Sequence, residues 1–372
     1  MAFESDFVKA RDFLILHRAD YDYAYSNFKW PEMANFNWAL DYFDPMAQGN
    51  NNLALWIKSE NGSEEKYSFA DISARSSQVA NYLQRLGLKR GDHVMIMMGN
   101  ETALWELTLA CIKLGAIIVP TSTMLAMDEL QDRLVRGEVR MIATTQAEAK
   151  RFDVQSAEAI KLVVDGNMEG WHDYSEATRE SAEYHTDEKT KASDPLLLYF
   201  TSGTTAKPKL VEHTHQSYPI GHLSTMYWIG VRPGDIHMNV SQPGWAKHAW
   251  STLFAPWNAE ATVFVYKQSR FDAKNLLQAL EQNRITTFCA PPTVWRMLSA
   301  EDLGIYKMSI REAVSAGEPL EPEIIRRFQE TWNITIRDGY GQTETTAQIG
   351  NSPGQKNKPG TMGRPLPGYS IM

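Results

Sequence analysis

A chain of 372 residues exceeds one usual domain, and its 43% hydrophobic and 22% charged content excludes a disordered or fibrous polymer. With 37 basic against 45 acidic side chains, the net charge of −8 supplies no overall basic field for a nucleic acid backbone. Cys111 and Cys289 each lie alone in an apolar segment, without zinc or disulfide spacing, which implies a reducing, cytoplasmic setting.

The opening MAFESDFVKARDF carries Glu4 and Asp6 where a secretory signal needs an apolar core. No stretch of the sequence reaches the ~18 apolar residues of a membrane span. Residues 1–64, with the aromatic-rich NFKWPEMANFNWALDYF, read as a lead-in packed on the core. From residue 65 helices alternate with short apolar strands. Ser68-Phe69-Ala70-Asp71 has the form of a capping box, and Ile72, Val79, Leu83 and Leu86 follow at helical spacing. HVMIMM at 93–98 reads as a strand, Asn100 as the cap of a helix over 101–114, Gly115 as its close, and AIIVP as the next strand. MIATT and KLVVDG repeat the theme.

The polar, acidic stretch 169–194 marks a boundary, after which LLLYF opens a second series running through IHMNV, ATVFVY, ITTFCA, REAVSA and ITIRD. Helices are expected between these strands over 273–283 and 321–332. Strand–helix alternation of this kind argues for mainly parallel sheets covered on both faces, so the fold class is α/β with two such units, 65–190 and 191–372. The tail from Ser352, rich in Pro and Gly, reads as an irregular connection.

Ligands of open parallel sheets gather beyond the carboxyl ends of the strands. YFTSGTTAKPK follows the strand LLLYF directly. Gly203 lets backbone approach a ligand, Thr201, Ser202, Thr204 and Thr205 can donate to phosphate oxygens, and Lys209 can supply charge. The alternative is a Ser/Thr turn with solvated lysines. The loop lacks the Gly-Lys-Ser/Thr ending of a Walker A loop, since Ala206 precedes Lys207 and Pro208 follows. DGYGQTETT at 338–346 offers Gly339 and Gly341 for close ligand approach and Glu344 as an oxygen ligand suited to Mg²⁺. Its other reading is an exposed glycine-rich turn. SAGEPL at 315–320 follows a further strand, where backbone groups could meet a planar base.

In this order and at these separations, YFTSGTTAKPK, SAGEPL and DGYGQTE resemble the phosphate loop, adenine loop and Tyr-Gly-x-Thr-Glu motif of the adenylate-forming acyl-CoA synthetases. GWAKHAWSTLFAPW and TTFCAPPTVWRML resemble the medium-chain and aryl acyl-CoA synthetase branch, and the likeness runs from about residue 65 to the end. The resemblance implies two stacked, doubly wound subdomains with flanking helices. It further implies that Thr201, Ser202, Gly203, Thr204, Thr205 and Lys209 wrap the β and γ phosphates. Gly317, Glu318 and Pro319 would frame the adenine with Asp338, Gly339 and Tyr340, and Gln342 would be a further ATP-binding residue. Thr343 would touch the α phosphate, and Glu344 would hold Mg²⁺. Ala206 departs from the family's glycine there.

The implied acid pocket comprises Trp245, His248, Cys289, Ala290 and Gly339. His248 is either an orienting group near the carboxylate, counted with Thr201, Lys209, Thr343 and Glu344 as catalytic, or a packed polar residue between Trp245 and Trp250. Trp30, Trp38 and Trp105 read as packing.

The implied reaction joins a short, medium-chain, branched or aromatic acid to the α phosphate of ATP, releases pyrophosphate, and passes the acyl group to coenzyme A. The resemblance allows a homodimer. It also implies that the family's mobile C-terminal domain is absent here and that turnover by this chain is slow. Two alternatives are an adenylation domain serving a carrier protein and a non-catalytic nucleotide-binding module.

Overall fold

Ser68 opens the helix Phe69–Arg85 as its spacing implies: its hydroxyl accepts from the Asp71 amide, and the Asp71 carboxylate accepts from the Ser68 amide. Two donors that a helix start would leave orphaned are thereby satisfied. The computed structural model describes residues 5–152, 158–201 and 208–371.

The apolar runs form two sheets. One has seven strands in the spatial order His172–Asp173, Ile160–Val163, Val139–Thr144, His93–Met97, Ile117–Pro120, Pro195–Thr201 and Lys209–Thr214, parallel except for the last pair. The other has nine, in the order Arg364–Pro365, Ile349–Gly350, Ile336–Tyr340, Glu312–Ala316, Thr287–Ala290, Ile236–Asn239, Thr262–Lys267, Leu53–Ser59 and Glu64–Ser68. Its central six strands are parallel and both edges are antiparallel.

Sheet membership does not follow the sequence divisions at 64 and 190. The hairpin of Leu53–Ser59 and Glu64–Ser68 borders the nine-stranded sheet, while Pro195–Thr201 and Lys209–Thr214, at the head of the second series, border the seven-stranded one. Periodicity distinguishes a strand from a helix; it carries no information about which sheet receives the strand.

Successive strand residues face opposite sides, and here both sides are apolar. Val94 and Ile96 of one sheet and Val263 and Val265 of the other contribute to a shared core with Trp38, Phe43, Trp105, Phe254 and Trp257. Their neighbours Met95 and Met97 face an outer core with Leu130 and Phe152, and Phe264 faces another with Phe288, Trp295 and Phe328. The packed tryptophans place their ring N–H on internal acceptors: Trp105 on Thr252 O, Trp257 on Ala54 O and Trp38 on Asn258 Oδ1. The acidic stretch 169–194 lies along the helix Phe69–Arg85, where Gln78 and Asn81 donate to its carbonyls and Arg85 pairs with Glu180. No helix among the described residues is long and apolar enough to cross a membrane.

Candidate nucleotide and acid site

Four neighbouring strands of the nine-stranded sheet deliver the quoted motifs to one edge. Asn239 stands opposite Cys289, Ala290 opposite Ser315, Ser315 opposite Asp338, and Ala316 opposite Gly339. SAGEPL, FCAPPT and DGYGQTETT therefore begin side by side, and GWAKHAW follows the strand that ends at Asn239.

Asp338 is buried, and its side chain accepts from the Gly339 amide at 2.9 Å. Burial pushes its carboxyl up to about 6, against the lowering effect of backbone donors and of Lys247. Gly339 serves packing: a β-carbon there would lie 2.5 Å from the Trp228 ring. Gly341 likewise faces Trp250, at 2.4 Å. Both glycines, read from sequence as allowing a ligand to approach, have buried tryptophans as their close neighbours. Gly317 alone of this group needs its freedom for backbone shape, with φ at +115° and open space where a side chain would stand. Glu318 beside it is exposed and pairs with Arg296 at 3.2 Å; Pro319 is exposed too. Tyr340 and Thr343 are half-buried, and Gln342 and Glu344 are exposed.

The expected phosphate cradle of Ser202, Gly203, Thr204 and Thr205 lies outside the described residues. Its two flanks do not. Thr201 ends one strand and pairs with Lys209, the exposed first residue of the next. Four residues on, His213 Nε2 donates to the Thr343 carbonyl at 2.6 Å, tying the arm that carries the loop to the Tyr-Gly-x-Thr-Glu segment. Its Nδ1 lies 3.3 Å from Ser217 Oγ, and its ring packs on Tyr218 with centroids 4.1 Å apart. Burial holds His213 below the usual histidine range despite Thr343 O and Glu344, so it is neutral at physiological pH.

Among the described residues no cluster of three or more His, Cys, Asp or Glu side chains could hold a metal ion. Glu344, exposed and without an ion-pair partner among those residues, fits Mg²⁺ held by one carboxylate with phosphate oxygens and water.

Trp245 precedes the helix Ala246–Ala249, which continues through a π turn at Trp250–Phe254. Such turns recur at functional sites. Trp245 is 62% exposed and stands between two cavities. The first, of about 40 Å³, is lined by apolar residues including Ile96, Leu104, Ile118 and Phe254 together with His248. The second, of about 710 Å³, holds Asn239, Lys247, Met238 and Pro291. His248 is buried against Trp105, bonds Asn100 Oδ1 through Nε2 at 2.9 Å, and is pushed down to about 3 by burial. It is a neutral donor, held in place and lining the apolar cavity. Cys289 and Ala290 are fully buried at the end of their strand.

Three residues escaped sequence reasoning. Asn100 does not cap its helix: Thr102–Leu114 starts after Glu101 without a side-chain cap, and Asn100 holds His248 instead. Its place just beyond the strand His93–Met97 was the signal. His213 lies within the strand Lys209–Thr214, and nothing local distinguishes it from a packed histidine. Lys247, inside GWAKHAW, received no role from the sequence, and its ammonium lies against Ala316 O at 3.3 Å. Burial lowers its pKa, with Cys289 and Asp338 opposing.

The sequence profile described as AMP-binding enzyme matches residues 45–372. The 4-hydroxybutyrate--CoA ligase 1 of Metallosphaera sedula is 38% identical over 347 residues, covering 91% of this chain and 61% of that protein. The mitochondrial acyl-coenzyme A synthetase ACSM3 of Homo sapiens is 34% identical over 367 residues, 95% of this chain and 63% of that one. Among solved structures, an acyl-CoA synthetase of Brucella canis superposes with a TM-score of 0.87 at 26% identity, over 94% of this chain and 67% of that one. The anthranilate CoA ligase AuaEII in complex with anthranoyl-AMP shares the fold, at a TM-score of 0.81 and 24% identity, over 91% and 66% of the two chains. The chain thus spans somewhat over three-fifths of the length of these curated relatives, 61% and 63%. On the profile match and these likenesses, the chain belongs to the AMP-binding enzyme family.

Proposed function

We propose that this chain supplies the nucleotide and acid sites for ATP-dependent activation of a carboxylic acid to an acyl adenylate, with later transfer to coenzyme A. The observation that carries the reading is the convergence of four motif segments on adjacent strand ends, with the phosphate-loop arm tied to the same edge through His213.

In this reading Asp338 and the open backbone at Gly317 receive the adenine, an amine donor meeting the carboxylate. Thr343 faces the α phosphate, and Thr201 and Lys209 flank the β and γ phosphates. Mg²⁺ on Glu344, when bound, neutralises phosphate charge. The acid lies beside Trp245, His248, Cys289 and Ala290, and its own carboxylate is the nucleophile. The protein's share is then positioning and charge neutralisation. Neutral His248, fixed by Asn100, orients without taking a proton.

The test is ATP–pyrophosphate exchange by this chain with a panel of short, branched, medium-chain and aromatic acids. Acid-dependent exchange supports the reading. Absence of exchange together with absence of nucleotide binding by calorimetry refutes it.

A further inference from the structure

Arg337 stands one residue before Asp338 and is almost wholly buried. Its guanidinium meets four acceptors. Nη1 donates to the carbonyls of Trp228 and Asn351, and Nη2 donates to the Ile229 carbonyl and to Glu312 Oε2, both at 2.8 Å. Trp228 and Ile229 end the helix His222–Ile229, whose last carbonyls have no partner within the helix and favour a cation beside them. The two residues gripped by Nη1 also hold Asp338. Trp228 Nε1 donates to the Asp338 carbonyl at 3.3 Å, and the Asn351 amide donates to it at 3.0 Å. The Trp228 ring fills the notch left where Gly339 and Gly350 lack β-carbons.

The same helix reaches the far arm of the motif. Ser224 Oγ donates to Ala347 O at 2.7 Å, and Thr225 Oγ1 accepts from the Ala347 amide at 3.2 Å. A π turn at Gln216–Ile220 joins the start of the helix to the strand Lys209–Thr214. The helix therefore connects the phosphate-loop arm to both arms of DGYGQTETT, separately from the His213 bond. A buried ion pair adds little stability over apolar packing of the same volume, because desolvation offsets the attraction. A planar fork with four fixed acceptors supplies direction instead, and admits one register of helix against strand. Glu312, shared with Arg311, balances the charge, and Arg311 donates to Gly230 O at 3.1 Å just past the helix end.

We propose that Arg337 is a positioning residue for nucleotide recognition, fixing the helix His222–Ile229 so that Trp228 and Asn351 hold Asp338 at the adenine. This rests on the acid-activation reading, in which Asp338 meets the base, and names the group that keeps it there.

The experiment measures binding of AMP and of IMP to this chain by calorimetry at pH 7.5, since IMP replaces the amine of adenine with a carbonyl that repels the carboxylate. The KM values for MgATP and for the acid are read in ATP–pyrophosphate exchange. Arg337→Met removes the fork, Arg337→Lys keeps only its charge, and Trp228→Phe keeps a ring while removing the donor to Asp338. The wild type is expected to prefer AMP at least about tenfold. That ratio falls at least about fivefold in Arg337→Met and Arg337→Lys and about threefold in Trp228→Phe, with the KM for the acid held within about twofold. A general loosening of the fold lowers the active fraction and leaves the base ratio unmoved. If Arg337→Met does not fold, Arg337→Lys and Trp228→Phe decide. A base ratio unmoved in the folded variants, or KM values for acid and MgATP that rise together, overturns the inference, while the wild-type preference for AMP leaves the nucleotide reading standing. Equal binding of AMP and IMP by the wild type, or binding of neither, overturns both.

Discussion

Asp338 shows how a single buried carboxyl couples stability to ligand binding. Its folded-state value of about 6 lies above its ordinary 3.8. The folded protein therefore holds this proton while the unfolded chain has released it, and stability falls as pH rises from about 4 to about 6, then levels. At neutral pH the charged group costs about 3 kcal/mol, an upper figure from the size of that shift. Asp338→Asn keeps an oxygen for the Gly339 amide and removes the charge. The variant is expected to match the wild type in stability near pH 4, to exceed it by roughly 2–3 kcal/mol at pH 7.5, and to bind AMP more weakly. Denaturant unfolding at both pH values, with calorimetric AMP binding, checks this. Equal stability at pH 7.5 would contradict the assigned burial. That Asp338 and Glu344 bracket a candidate site was legible from the motif; that Gly339 and Gly341 exist to admit Trp228 and Trp250 was not, because the tryptophans come from segments about 110 and 90 residues away in the sequence.

At the scale of elements, the strand Lys209–Thr214 matters more than its ordinary sequence suggests. It belongs to the seven-stranded sheet, while Thr343 follows a strand of the nine-stranded one, and His213 is a direct bond between them. His213→Leu removes the donor at similar bulk; His213→Gln retains an amide donor near the same place. The Leu variant is expected to raise the KM for MgATP at least about fivefold in pyrophosphate exchange, one charge-free hydrogen bond's worth, with Gln recovering most of the loss. If Gln is as impaired as Leu, His213 is a packing residue and not a positioning one. Strand and helix identities were largely written in the periodicity: the capping box at Ser68, Gly115 closing its helix at φ +72°, and the apolar runs all took their expected forms. The edge hairpins changed sheets because pairing partners at the two borders are chosen by long-range packing, which local pattern does not encode.

Across the whole molecule, the aromatic lead-in, expected only to pack on the core, ties separate segments together. Tyr42 donates to the Trp257 and Asn258 carbonyls, Arg11 pairs with Glu260, and Trp30 donates to Gly368 O with its ring against Tyr369. The first residues thus brace the helix that follows GWAKHAW and the segment beyond DGYGQTETT, so both walls of the candidate site lean on one support. The shared core between the sheets then fixes where the strand ends point. The deciding measurement is a crystal of this chain soaked with MgATP. Adenine is expected beside Asp338 and Gly317, with the triphosphate running past Thr343 toward Thr201 and Lys209. Nucleotide bound elsewhere, with those strand ends empty, would contradict it.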